Sequence, residues 1–567
     1  MSLCLLAFIL MLLKSRDLRQ ADVFLVKEDL QVLALEGVFL LLMAKGLAGR
    51  GFPAWAWPTA WRSARVVAAL AALAVLITGL VGWRLVFSRY PLSLDEFFAV
   101  SDATTFHRGL FIAPVPAIWR EYVPALQPEF GLQVPGHAVW SSDYLPLNAA
   151  FRGLLMAVGG AAWAGPLLSA FSVAMVYDIA KVLWPDRPDA AAVAAVFLAS
   201  SSQLLFTAMT PYAMSAHLAL NLTWLRLYQR DSGWSDGAAL AVGWAACGLH
   251  QLVFHPLLVA PFILHAFASG RWRRAVVFTC GYAAIGLFWI LYWPVMFHLM
   301  GLAAPQGKGG GVQAFAGHVL QLVSESDPLE AVRLMAENLI RFISWQNPLM
   351  AVLLFAGFVP ALRTGGALRN MAAASILTLA TVALVMPYQG LGWGYRYLHG
   401  LLGCACLIAA AAYVELTRSA WSPLLARNAI MLSLAASVLV LAPWRALQAH
   451  ADAAPFARAS QAISADTADF VVVNGGDVSG LVRNDPGLRA RPLVFDLQAL
   501  SASQVYALCR RGRVHLFDRK DAAKVGIEVP KATAIARPAP QELKMQSMGC
   551  ASVHVVRPQP ASSGVSL

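Results

Sequence analysis

Charge is what this sequence has least of. Lys, Arg, Asp and Glu together make up 13% of its 567 residues, about half of the roughly 25% usual in soluble proteins. So little charge cannot wet the surface of a soluble chain this long, which excludes a multidomain cytosolic enzyme and a disordered scaffold. Acidic residues are scarcer than basic ones, 31 against 43, for a formal net charge of +12. The basic residues fall in short clusters between apolar runs and form no stripe interleaved with aromatics, so nucleic acid is not the partner. The seven cysteines contain no CxxC. Cys404 and Cys406 lie about 200° apart around a helix and cannot share a ligand face. Cys509 and Cys550 fall in the C-terminal region and could pair if that region is extracytoplasmic. Apolar and polar residues do not alternate over long stretches, which excludes a membrane β-barrel.

What the sequence has instead is apolar residues, 59% of the chain, with a mean hydropathy of +0.61. They come in unbroken runs, the mark of a mainly α, polytopic helical membrane protein. The first clear run, 66–87, follows Arg50, Arg62 and Arg65, which places its start in the cytoplasm. A polar stretch then lies outside, and the runs 163–184, 190–206, 214–228, 238–252, 256–267 and 275–293 cross in turn. After a Gly-rich external loop, 348–362, 371–386, 398–416 and 429–444 complete the path. Lys181, Arg187, Arg226, Arg230, Arg271, Arg363, Arg418 and Arg427 all land on the cytoplasmic side. This gives about 11 spans, or up to 13 if the N-terminal runs 2–13 and 30–48 both cross, and parity requires both or neither. The run 146–160 reads as a helix on the outer membrane surface.

Three parts result: N-terminal helices over 1–64, a transmembrane domain over 65–445 with external loops 88–162 and 294–346, and a polar region over 446–567. The last carries strand-like runs at 470–473, 493–495, 514–517 and 553–556 and a helix-like run at 501–510, so we expect a small extracytoplasmic α/β domain. The expected location is a bacterial inner membrane, with this domain on the periplasmic side.

Polar outliers gather on the external side. Asp95 and Glu96 follow the first strong span in SLDEFFAVSDATTF. A carboxylate pair there can act as a general base or a metal ligand. The bland alternative is a solvated loop with helix-capping acids, because Ser93 and Glu96 fit a capping box. His217, one turn inside a span in TPYAMSAHLALNLTW, is either a hydrogen-bonded helix residue or a catalytic group. His250 and His255, in GLHQLVFHP, are about 140° apart on a helix and lack the zinc-pair spacing. In YQGLGWGYRYLHG, Arg396 stands among Tyr388, Trp393, Tyr395 and Tyr397, on the side where cations are disfavoured. A guanidinium at headgroup level suits a lipid phosphate, and a snorkelling anchor is the alternative. Arg108, Arg120 and Lys308 are lesser candidates for the same anion.

Taken in order, these motifs resemble the GT-C class of membrane glycosyltransferases, in the branch of the protein O-mannosyltransferases and the lipid A aminoarabinose transferases. The acidic pair in SLDEFF matches the family's first external loop. SSDYLPLNAAF, with Tyr144, Pro146 and Leu147, is similar to a Tyr-Pro-Pro-Leu segment but has one proline. YAMSAH carries His217 where the family has an external turn. His255 stands where many members have a basic residue, and GWGYRYL resembles a late Arg-Tyr motif. The resemblance covers about residues 65–445 and implies a polyprenyl-phosphate-linked sugar donor and an acceptor hydroxyl on a glycan, lipid or protein.

On that reading Asp95, with Glu96 second, activates the acceptor oxygen for inverting attack. Arg396, His255, His250, Tyr395, Tyr397 and Tyr144 hold the lipid phosphate, while His217 and Asp102 contact the acceptor or a metal. A divalent metal at Asp95, Glu96 and His217 is compatible with the residue types, but nothing in the spacing requires one. The rival readings are a flippase for a lipid-linked glycan, which would show an internal repeat, and a non-catalytic envelope assembly subunit.

Overall fold

Within lipid every backbone N–H and C=O must be satisfied inside its own segment, so the long apolar runs become helices. The computed structural model describes residues 23–48, 63–126, 131–132, 134–303, 311–324, 327–474 and 480–527. In chain order the first helices are α1 (Leu30–Ala48), α2 (Ala64–Leu85), α3 (Leu94–His107), α4 (Leu147–Met156) and α5 (Ala164–Leu183). Next come α6 (Pro188–Ala199), α7 (Ser202–Ala208), α8 (Met214–Tyr228), α9 (Gly233–Cys247), α10 (Phe254–Ala268) and α11 (Trp272–Leu299). The series continues with α12 (Val312–Ser324), α13 (Pro328–Ser344), α14 (Pro348–Thr364), α15 (Gly366–Val385), α16 (Leu402–Ser419), α17 (Pro423–Ala436) and α18 (Ala442–Ser464).

Each of the eleven expected crossings is helical, but not each is long enough to cross alone. Among the described residues six helices have the length and hydropathy to span a bilayer, or seven if α6 and α7, bent by 58° at their junction, count as one. The shorter α8, α9, α10 and α14 pack within the bundle. α16 is its axis, buried along most of its length, whereas α2 is buried only at Val67, Ala68, Val75, Gly79 and Gly82. α16 packs on α14 and α6, and α2 on α5 and α6.

At three points the structure adds to or corrects the expected path. The helix of the last expected crossing continues past Trp444, because α17, a five-residue π-helical turn and α18 run on without a break to Ser464. The loop over 294–346 is largely helical: α11 continues through Pro294 to Leu299, and α12 and α13 fill most of the remainder. The run 30–48 forms α1, and the turn before it meets α13 and α18 through Asp29, which pairs with Arg341 and Arg445. Its expected companion, 2–13, lies outside the described residues, as do Arg50, Arg62, Lys308, Cys550 and the strand-like run 553–556.

α4 fits the reading of a surface helix, with Arg152 buried on one side and Phe151 and Leu154 exposed on the other. The C-terminal part has the expected strands, β3 (Phe470–Val473), β4 (Leu493–Asp496) and β5 (Val514–Phe517), in a parallel sheet of order β4-β3-β5. Here β1 (Ala113–Pro114) and β2 (Val139–Trp140) are a short antiparallel pair in the loop between α3 and α4. The α/β part is not separate from that loop: Trp119 packs edge-on to Phe470 at 5.7 Å between ring centroids and lies 6.0 Å from Phe495. Loop and sheet share one core. Cys509 is disulfide-bonded.

Candidate active site

The acidic pair opens α3. Ser93 caps the helix by accepting the Glu96 N–H at 3.1 Å, and the Glu96 carboxylate accepts the Ser93 N–H at 2.9 Å. The cap divides the pair. Glu96 turns inward and is 1% exposed, whereas Asp95, in the same first turn, faces a cavity at this end of the bundle. An anion in the first helical turn is also favoured by the helix dipole.

Opposite Asp95 stands the Gly-rich turn before α16, which is held from several sides. Arg341 on α13 donates to the carbonyls of Gly392 at 2.6 Å and Gly394 at 3.3 Å. Gln203 donates to the Tyr395 carbonyl at 2.7 Å, and Tyr212 donates to that of Leu391 at 3.0 Å. Gly394 has φ +72°, and a Cβ there would sit 2.7 Å from the Gln203 side chain, so only glycine fits. Held in this way, Arg396 Nη1 donates to Asp95 Oδ2 at 2.7 Å and to the Leu391 carbonyl at 3.1 Å. Its guanidinium also lies over the rings of Tyr397 and Tyr212, at 5.5 and 5.8 Å.

The other Asp95 oxygen accepts from the Tyr144 hydroxyl, and the Tyr144 ring stacks on His250 at 4.0 Å between centroids. Backbone bonds from Leu145 N to His250 O and from Leu147 N to Gly248 O tie the two motifs together. Burial alone would raise the Asp95 carboxyl, but Arg396, His250 and the Tyr144 hydroxyl outweigh it and hold the group below the usual carboxylate range. Asp95 is therefore ionised at neutral pH.

The cavity is lined by Asp95, His217, His250, Arg396 and Tyr397. Both ring nitrogens of His217 are buried without a hydrogen-bond partner. Tyr144 meets the site through its bond to Asp95 and its stack on His250, and it and four other sequence candidates do not line the cavity. His255 is fully buried behind it, with Nδ1 on Asn221 and Nε2 on Tyr282, both at 2.7 Å, so it positions Asn221 and is not placed to touch a phosphate. Tyr395 is fully buried, and its hydroxyl lies 3.7 Å from the Met335 sulfur. Asp102, nearly two turns along α3, accepts from Ser142 at 2.5 Å. Glu96 belongs to the cap. Asp95, Glu96 and His217 thus form no ligand set, and among the described residues no group of three His, Cys, Asp or Glu is placed to hold a metal. Arg108 pairs with Asp485 at 3.7 Å, and Arg120 donates to the Val115 carbonyl at 3.4 Å.

Tyr212, Asn221 and Thr378 line the cavity and were not singled out from the sequence. Tyr212 follows the Thr-Pro that opens the His217 motif, which is a usable signal; Asn221 and Thr378 give none. Arg483 was also missed. From the C-terminal part it donates to the carbonyls of Pro91 and, at 2.9 Å, Leu92, and it lies over the Tyr90 ring at 4.3 Å.

Burial pushes the Glu96 carboxyl up to about 7 against the cap bonds and Arg483. The folded state then keeps a proton that the unfolded chain releases. This contribution is complete below an ordinary glutamate value of about 4.5 and is lost as pH rises through about 7. We expect the Tm of the wild type to fall between about pH 5 and pH 8, and Glu96→Gln to flatten that slope. Parallel slopes in thermal melts would show that Glu96 is not the titrating group.

No family model matches the chain, and no curated protein does. Among solved structures it is similar to the crystal structure of ArnT from Cupriavidus metallidurans bound to undecaprenyl phosphate. That match has 12% identity and a TM-score of 0.50, and covers 75% of this chain and 84% of that one. The apo structure of the same protein matches over the same shares with a TM-score of 0.46. The chain is a multi-pass membrane protein with the helical-bundle fold of ArnT, the GT-C fold that the order of its motifs led us to expect.

Proposed function

We propose that the chain is a glycosyltransferase that moves a sugar from a polyprenyl-phosphate-linked donor to an acceptor hydroxyl, in the manner of the branch its motifs resemble. The observation that carries this reading is the Asp95–Arg396 pair, an ionised carboxylate and a guanidinium meeting at 2.7 Å on the wall of one cavity. Two groups of opposite sign suit the two ends of the reaction. Asp95 takes or orients the acceptor proton as the oxygen attacks the anomeric carbon. Arg396 stabilises charge growing on the leaving phosphate. Tyr144 and His250 fix the carboxylate, and Tyr397 and Phe254, stacked at 5.4 Å, form an aromatic wall for the sugar or the first isoprene units. The neighbouring fold was crystallised with undecaprenyl phosphate, which supports a polyprenyl lipid as partner. Arg187, Arg418 and Arg427 lie at the other end of the bundle, so the positive-inside rule favours a periplasmic site.

The test is transfer of a labelled sugar from a polyprenyl-phosphate donor by the purified protein in liposomes. Loss of label from the lipid with gain in an acceptor fraction is expected. Movement of intact donor across the bilayer would instead favour a flippase.

Arg483 then acts as a positioning residue, since it holds the segment Pro91–Leu92 that leads into Asp95. Arg483→Gln should lower kcat by about 10- to 100-fold, as small misplacements of reacting groups do, and Arg483→Lys should recover part of it. KM for the donor should change far less. A variant that loses only donor affinity would place Arg483 in binding.

A further inference from the structure

At the end of the bundle away from Asp95, a second cleft opens between α2, α6, α16 and α17. Between Leu401, which lines the first, and Thr417, which lines the second, lie about 24 Å of helix, most of the hydrocarbon thickness of a bilayer. The wall of this cleft toward the bundle is apolar, formed by Val67, Val193, Val196 and Ile430, and its mouth carries Arg187 and Arg427. The two arginines are not equivalent. Arg187 is engaged: it donates to both Asp189 oxygens, at 2.9 and 2.7 Å, and to Thr417 at 2.8 Å. Tyr413 completes that cluster by donating to Asp189 at 3.1 Å. Nε and Nη2 of Arg427, by contrast, are shielded from solvent and have no hydrogen-bond partner. A guanidinium in that condition lacks its anion. The first residues of α6 and α17, Pro188 and Pro423, also line the cleft, so two helix N-termini add positive potential there.

We propose that this cleft binds an anionic membrane phospholipid, with its phosphate on Arg427 and an acyl chain along Val67, Val193, Val196 and Ile430. Charge matching selects the lipid. Asp189 cancels Arg187, which leaves one uncompensated positive charge for one phosphodiester anion. A zwitterionic headgroup would bring an extra cation toward Arg427 and two helix N-termini. The site is independent of the sugar-transfer reading, because it shares no residue with the Asp95 cavity and lies at the opposite leaflet.

The experiment is native mass spectrometry of the full chain in a neutral detergent, titrated with phosphatidylglycerol, phosphatidylcholine or inorganic phosphate. The wild type should retain phosphatidylglycerol with a Kd about ten-fold or more below that of Arg427→Gln and below that for phosphatidylcholine. Inorganic phosphate should not displace it. Equal retention by Arg427→Gln, equal binding of phosphatidylcholine, or displacement by inorganic phosphate each overturns the proposal. Should Arg427→Gln fail to fold, a photoreactive phosphatidylglycerol on the wild type decides the matter. Adducts in α6 and α17 are expected, and adducts confined to other helices refute it.

Discussion

Asp95→Asn is expected to lower sugar transfer by about 10²- to 10⁴-fold, the range in which a positioned general base contributes. The substitution is close to isosteric. Asparagine can still accept from Arg396 through its one amide oxygen, while its NH2 takes the other position and donates to the Tyr144 hydroxyl oxygen, so the geometry at the head of α3 has reason to survive. What disappears is the negative charge, and with it the ability to take a proton from the acceptor. The lost charge also weakens the bond to Arg396, whose side chain is 17% exposed against 11% for Asp95. Hydrogen bonds to charged groups are worth about 1.5–3 kcal/mol, so a Tm measured beside the rate separates damage to the fold from damage to the chemistry. Asp95→Glu sharpens the test. It restores the charge but moves the carboxylate by roughly a bond length, which should still cost about 100-fold. A wild-type rate in Asp95→Asn would remove the carboxylate from the chemistry. A loss equal in Asp95→Asn and Arg396→Lys, with unchanged kcat and raised KM, would make the pair a donor clamp.

Much of the bundle was legible because its two determinants are local. Apolar runs of bilayer length and the basic clusters that punctuate them can be read one segment at a time, and all eleven expected crossings are helices. The misreadings occur where tertiary packing overrides local polarity. The segment before α14 is Gly-rich at its start and polar enough to pass for a loop. α13 nevertheless forms there because Arg333, Glu330 and Glu337 pair along one side, at 2.7 and 2.8 Å, and an apolar stripe turns inward. α18 outlasts the apolar run because its small residues Ala449, Ala453 and Ala457 are buried against neighbours, which hydropathy does not register.

The site was legible in the same uneven way. Asp95 and Arg396 stood out as charges in the wrong place for a membrane exit, and the fold brings them into contact across 301 residues of chain. Which member of a charged pair faces the cavity was not legible. The capping bond that turns Glu96 inward fits the sequence pattern, yet pattern alone does not say whether a cap is all that the pair does. His255 and His250 were equivalent as letters, and only the turn after α9 decides that one lines the cavity and the other supports Asn221. Arg483 was invisible, because its role depends on a contact made 391 residues away.

The N-terminal segment supplies the largest expected effect on stability. Asp29 is buried at the site's end of the bundle, where it accepts from Arg341 at 2.9 Å, Arg445 at 3.0 Å and the Trp345 indole at 2.9 Å. The arginine side chains are 4% and 0% exposed. Asp29→Asn leaves two buried guanidinium groups facing Glu28 at 3.5 and 3.9 Å, too far for a good hydrogen bond. Removing one partner of a buried charge pair costs about 3–5 kcal/mol, so thermal melts in detergent should show a Tm drop of several degrees. The damage should also reach the site, because the same Arg341 holds the Gly392 and Gly394 carbonyls that aim Arg396 at Asp95. The double variant Asp29→Asn, Arg445→Met discriminates a charge effect from a packing effect. It deletes one charge of each sign, leaves Arg341 with Glu28, and fills the Arg445 space with an apolar chain, so it should recover a good part of the lost stability. If the two substitutions instead add, each costing what it costs alone, Asp29 is held for its shape, and the cluster is not the electrostatic anchor of the Arg396 turn.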